Sequence, residues 1–92
     1  MNITKIREQF VKTEDAVRRA DKQRVHLWDI LLPYMSEEFH DESCYIDVAH
    51  GDGLVVVFEE KFNFVKNYPV SQIIDLIEKG TTCITPDQLI EI

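Results

Sequence analysis

The sequence predicts an α+β fold, with a long N-terminal helix, a small antiparallel sheet containing a β-hairpin, and one or two C-terminal helices. Three observations carry the prediction. Residues 2–32 contain neither Gly nor Pro and repeat apolar residues at helical spacing. Residues 43–58 hold two β-type runs around Gly51-Asp52-Gly53. Residues 69–80 read as an amphipathic helix closed by a glycine. The order of helix, strands and helices without a repeating βαβ unit places the sheet in the antiparallel class. At 92 residues the chain makes a single domain, residues 1–92, and its 45% apolar content supports one core.

The first element carries its stripe at Ile3, Ile6, Phe10, Thr13, Val17, Ala20, Leu27 and Leu31, interrupted by Arg24. One long helix, bent or straight, is favoured. Thr13 followed by Glu14 and Asp15 is nevertheless a cap with acids in the first turn, and could start a second helix. Pro33 ends or kinks the element, and Ser36-Glu37-Glu38 offers a cap and a short turn. From residue 43 the side chains alternate: Cys44, Ile46 and Val48 face one way, and Tyr45, Asp47 and Ala49 the other. Gly51-Asp52-Gly53 supplies the positive φ angles of a tight turn, and Leu54–Phe58 returns as the second strand. Phe62 and Phe64 either extend that strand or make a third. Asn67-Tyr68-Pro69 reads as a break. Pro69 or Ser71 opens a helix through Ile73, Ile74, Leu76 and Ile77, which stops at Gly80. Thr82-Cys83-Ile84 is a candidate short strand. Thr85-Pro86-Asp87-Gln88 is a capping box that begins a last helix over residues 86–91.

Charge is unevenly distributed. Residues 1–28 hold seven basic residues against four acids, and residues 29–92 hold three against thirteen, giving a net −7. Between residues 29 and 60 stand nine carboxylates and no Lys or Arg: Asp29, Glu37, Glu38, Asp41, Glu42, Asp47, Asp52, Glu59 and Glu60. A one-sign block repels nucleic acid and membrane surfaces and attracts cationic partners. The basic group Arg18, Arg19, Lys22 and Arg24 is interleaved with Glu14, Asp15 and Asp21, which suits a solvated, ion-paired helix face better than a nucleic-acid contact. No run of about 18 apolar residues predicts a membrane span. The first ten residues lack the apolar core of a secretory signal, so a cytoplasmic location with reduced thiols is expected.

Chemistry-bearing groupings are weak. His40, Cys44 and His50 lie close in sequence, but three ligands at this spacing fall short of a tetrahedral zinc site. Cys44 sits among acids and Cys83 in an apolar run, neither of which favours a thiolate nucleophile. The adjacent pairs Glu37-Glu38, Asp41-Glu42 and Glu59-Glu60 read as solvated rather than as general acids held near neutrality by burial. Asp47 and Asp52 are too few for a calcium loop, and an acid in the Gly51–Gly53 turn disfavours phosphate. The expectation is therefore a non-enzyme without metal or cofactor.

The acids themselves are the candidate working surface. Same-face strand residues sit about 6.6 Å apart, close to the phosphate repeat along a DNA strand. Asp47, Asp52 and Glu59 could form such a row, extended by Glu37, Glu38, Asp41 and Glu42. In length and charge balance the chain resembles the phage DNA-mimic anti-restriction proteins, the Arn-like inhibitors of T-even phages. The likeness rests on the acids of residues 29–60 and on Asp75, Glu78, Asp87 and Glu91, while the basic first helix departs from it. It implies a cytoplasmic homodimer that competes with DNA for a basic host protein, such as a modification-dependent restriction nuclease or a histone-like nucleoid protein. The alternative is an interaction module held by apolar contacts through Phe58, Phe62, Phe64, Tyr68, Ile73 and Ile74.

Overall fold

The computed structural model describes residues 3–15, 21–41, 43–49, 53–60 and 64–92. Its elements are helix α1 (Ile3–Asp15), helix α2 (Asp21–Leu31), strands β1 (Tyr45–Val48), β2 (Leu54–Glu60) and β3 (Phe64–Pro69), and helix α3 (Val70–Glu78). Three short 3-10 turns cover Leu32–Tyr34, Glu37–Phe39 and Pro86–Gln88. The strands form one antiparallel sheet in the order β1-β2-β3. The α+β class is as the sequence predicts. Among the described residues, no helix is long and apolar enough to cross a membrane.

The N-terminal helix is present, but it does not run on to residue 32. Gln9 Nε2–H donates to Gln23 Oε1 at 2.7 Å. In one straight helix residues fourteen apart lie about 21 Å apart, so the chain reverses between α1 and α2. Residues 16–20, with Val17 and Ala20 of the expected stripe, lie outside the described residues. Thr13 faces inward as the stripe requires and is fully buried. It does not cap a second helix: its hydroxyl donates to the Gln9 carbonyl at 2.7 Å, one turn back within α1. Ile6, Leu27 and Leu31 are fully buried on the same stripe.

The hairpin follows the alternation of its sequence. Tyr45 pairs with Val57, Ile46 with Val56, Asp47 with Val55 and Val48 with Leu54. Ile46, Leu54, Val56, Phe58 and Tyr68 point into the core, where Leu27, Trp28, Leu31, Phe39, Ile73 and Ile74 meet them. Helix α2 packs against β1, α3 against β2 and β3, and α1 against α2 and α3. Two of the turn residues, Gly51 and Asp52, lie outside the described residues.

Asn67-Tyr68-Pro69 is no break. It belongs to β3, opposite Val57, Val56 and Val55. Tyr68 supplies the reason, since it is 3% exposed and packs edge-on to Phe58 and Phe39. Pro69 is tolerated because the odd-numbered backbone groups of β3 point away from β2. The missing N–H therefore leaves no gap in the ladder. Phe64 begins this third strand, and Phe62 lies outside the described residues.

Gly80 ends α3 with φ at +94°. Its N–H donates to the Ile77 carbonyl and that of Thr81 to the Leu76 carbonyl, both at 3.0 Å, the paired closure of a Schellman motif. The expected strand at residues 82–84 reduces to a single parallel bridge between Met35 and Ile84. The expected helix 86–91 reduces to the 3-10 turn Pro86–Gln88, although Gln88 Oε1 does accept the Thr85 N–H at 3.1 Å. Beyond that turn, residues 89–92 run extended along α3 and β3, and bonds to those elements replace helical ones. Ser36 starts its 3-10 turn without a side-chain cap bond. Its N–H donates instead to the Ile84 carbonyl at 2.8 Å.

Candidate functional site: an acidic end of the sheet

The loop from Ser36 to Ser43 carries the first acids, and a single aromatic pins it. Phe39 is fully buried. Its ring lies 5.2 Å from that of Phe58, 6.3 Å from Tyr68 and 6.4 Å from Trp28, all edge-on. The burial of Phe39 leaves Glu37 and Glu38, on the same turn, exposed. Two residues further on, Asp41 closes a local turn. Its Oδ1 accepts the Ser43 N–H at 3.0 Å and the Ser43 hydroxyl at 3.1 Å. These two donors, the backbone one first, hold the Asp41 carboxyl below its ordinary range.

The strand register then brings this loop to the end of β2. The pairing of β1 with β2 begins at Tyr45 opposite Val57, two residues before Glu59 on β2. Cys44 marks the junction. Its Sγ lies 4.0 Å from the Glu38 carbonyl, and the backbone of Glu59 is also within its reach. Burial raises the Cys44 thiol pKa, and the charge of Asp41 adds to the effect. A thiol held protonated by its surroundings is a poor nucleophile. The backbones of Glu38 and Glu59 and the charge of Asp41 thus all act on one buried sulfur, and the three residues are themselves exposed, with Glu37 on the adjoining turn.

Other members of the block stand apart. Asp29 is exposed on α2 and lines a shallow depression with Lys22, Val25 and His26, so a cation shares its surface. Asp47 is exposed on the outer sheet face, but its Oδ1 accepts the N–H of Val48 at 2.8 Å. The bond from Ala49 N–H to the Gly53 carbonyl fixes which backbone groups of β1 face β2, and those of Val48 face the free edge. Asp47 therefore covers an edge donor, a device that discourages strand addition. Glu42 and Asp52 lie outside the described residues, and of Glu60 only the backbone, at the end of β2, is described.

Of the expected row through Asp47, Asp52 and Glu59, Asp52 lies outside the described residues, and the register gives the spacing of the other two. Asp47 sits opposite Val55, four residues from Glu59 along β2. That separates the two acids by about 14 Å, and Tyr45 and Val57 lie between them. The apolar residues of this outer face are not among the expected contact residues. Tyr45, opposite the buried Val57, is 44% exposed, and Val65, opposite Glu59, is 53% exposed. Period-two alternation could have shown it, because it assigns Tyr45, Val55 and Val57 to the side away from the core.

Two more expectations change. Asp75 and Glu78 do not extend the acidic surface unpaired: Arg7 of α1 bonds Glu78 and lies 3.5 Å from Asp75. The Arg7 bond lowers the Glu78 pKa. Of the apolar set Phe58, Phe62, Phe64, Tyr68, Ile73 and Ile74, four are core residues (Phe58, Tyr68, Ile73 and Ile74) and cannot meet a partner. The side chains of Phe62 and Phe64 are not described. His40 Nε2 is 3.2 Å from the Met35 carbonyl and is the donor in that contact. His50 lies outside the described residues, and among those described no group of three His, Cys, Asp or Glu could hold a metal. No known protein family, curated protein or solved structure matches this chain.

Proposed function

We propose that the protein is a non-catalytic inhibitor. Its acidic end of the sheet occupies the DNA-binding surface of a basic protein, such as a restriction nuclease or a histone-like nucleoid protein. In this reading it works as a cytoplasmic homodimer, which doubles the charged surface. The observation that supports it is that Glu38, Asp41 and Glu59 are all exposed while the backbones of Glu38 and Glu59 and the charge of Asp41 act on the same residue, Cys44. Carboxylates on a pinned loop and a strand end lose little freedom on binding, which favours a charged contact over a flexible acidic tail.

The test is charge reversal at exposed positions whose carboxylates are not among the hydrogen-bond acceptors that shape the loop. Glu37→Lys, Glu38→Lys and Glu59→Lys together should abolish binding to a purified histone-like nucleoid protein while the circular dichroism spectrum is kept. Asp41 is left in place because Ser43 depends on it. Duplex DNA should compete with the unaltered chain, and added salt should weaken its binding steeply. A triple variant that binds as well as the parent removes the reading. A second reading, binding by apolar contact, is favoured by the exposed Tyr45 and Val65 on the outer sheet face. Salt-insensitive binding that Tyr45→Ala weakens would select it.

A further inference from the structure

Helix α1 turns Ile6, Gln9 and Thr13 inward. At about 100° per residue, its opposite side carries Thr4 and Val11 along the middle, and Val11 is 52% exposed. Glu8 and Lys12 stand on one flank of that line, with Lys5 beyond them, and all three are exposed. Arg7 and Glu14, also exposed, stand on the other flank. Helix α3 adds acids there, because Glu78 bonds Arg7 and Asp75 lies 3.5 Å from it. Val11, Arg7, Glu8, Lys12 and Glu78 line one shallow groove.

Along the helix the first flank alternates in sign, Lys5, Glu8, Lys12. The second has the inverse alternation, with Glu78 at Arg7 and then Glu14 two turns on. Each flank is therefore the complement of the other. A two-fold axis parallel to the helix sets the first flank of one copy against the second flank of the next, as flanking charges do in parallel coiled coils. Glu8 then meets Arg7, Lys12 meets Glu14 and Lys5 meets Glu78, with offsets along the axis of one or two residues, about 1.5–3 Å. An antiparallel pair would set the flank that carries the acids of α3 against its own copy. Over most of its surface a chain of net charge −7 repels itself. On this face three cations alternate with four acids, and a copy is attracted.

We propose that the outer face of α1 is a self-complementary interface on which a second copy of this chain docks, α1 parallel to α1 and in register, with Val11 on Val11 at its centre. The proposal names the contact for the homodimer of the function proposed above, and it rests on that reading only in supposing a dimer. It uses a different element from the acidic end of the sheet, and its test needs no basic partner. Exposed ion pairs are individually weak and screened by salt, so the dimer dissociates as salt is raised.

Sedimentation of the full chain at rising concentration and low salt reads the dimer. Lys12→Glu and Glu14→Lys should each weaken it at least about tenfold, since each turns two attractive pairs into repulsive ones. The double variant Lys12→Glu with Glu14→Lys should restore the parent affinity to within about threefold. That rescue must act between chains, because residues two apart on a helix do not face each other. Glu14→Lys also lowers the net charge, so unspecific repulsion alone would make it associate more tightly than the parent. Val11→Arg, at an exposed position, should abolish the dimer independently. A chain that stays monomeric at low salt overturns the proposal, and so does a dimer indifferent to both single changes or a double variant that shows no rescue. A dimer lost to Tyr45→Ala but not to Lys12→Glu moves the contact to the outer sheet face and overturns it too. A monomeric chain that still binds the nucleoid protein would sink this interface and leave the inhibitor standing. A dimer that shows the rescue but binds no nucleoid protein would do the reverse.

Discussion

Removing the Phe39 ring should unfasten the acidic loop and weaken the whole fold. The ring is fully buried and touches three aromatic neighbours edge-on, the nearest 5.2 Å away. Truncating a buried Phe to Ala costs about 3–5 kcal/mol. Each edge-on aromatic contact carries about 0.5–1.5 kcal/mol beyond its buried area, so Phe39→Ala belongs in the upper half of that range. A domain of 92 residues is stable by about 5–14 kcal/mol in total, so the variant loses a large part of its margin. Phe39→Leu keeps most of the volume and loses the aromatic edges, at a cost of about 1–2 kcal/mol. Urea unfolding followed through Trp28, whose ring centroid is 6.4 Å from that of Phe39, measures both. At about 1 kcal/mol per molar urea, the Leu variant should lower the midpoint by about 1–2 M. If both variants unfold within about 0.5 kcal/mol of the parent, a spread typical of plain surface substitutions, the loop is not pinned to the core. The argument that its acids are held in place would then fail.

Further outcomes follow from single contacts. Gly80→Ala should cost about 1 kcal/mol in thermal or urea unfolding, all of it conformational, because φ is +94° and an added Cβ meets nothing within 4 Å. Asp47→Ala should uncover the Val48 N–H and speed self-association, read by light scattering, with an unchanged melting midpoint. Glu78 is held below its ordinary value of 4.5 by Arg7. Its contribution is therefore complete above pH 4.5 and lost as pH falls through the depressed value. Acid unfolding of Glu78→Gln should lack that component. Cys83 is exposed and Cys44 buried with a raised pKa. An alkylating reagent at neutral pH should therefore modify Cys83 first and reach Cys44 only on unfolding, as peptide mass mapping would show.

What the sequence revealed divides along physical lines. The hairpin was legible because alternation from Cys44 to Val48 fixes the faces regardless of the surroundings, and because Gly-rich turns admit few alternatives. The stop at Gly80 was legible because helix closure is a local event. The reversal between α1 and α2 was hidden. No Gly or Pro marks it, the apolar stripe runs on past it, and the deciding contacts, such as Gln9 with Gln23, are tertiary. Pro69 misled for a related reason: a proline breaks a ladder only when its N–H would have served, and here that position faces the free edge. The acids could be counted in the sequence but not grouped. Glu38, Asp41 and Glu59 all act on Cys44 by way of the Asp41–Ser43 turn and the pairing of Tyr45 with Val57, neither of which charge patterning encodes. Phe39, alone in a polar loop, gave no periodic signal.

The central claim is that the acids at the end of the sheet are the contact surface. Amide chemical-shift mapping during titration with a purified histone-like nucleoid protein tests it most directly. The account predicts saturable shifts concentrated at Glu37, Glu38, Asp41, Ser43 and Glu59 that vanish as salt is raised. Shifts centred on Tyr45, Val57 and Val65 that persist in high salt, or shifts confined to the Lys22–Asp29 face of α2, would contradict it.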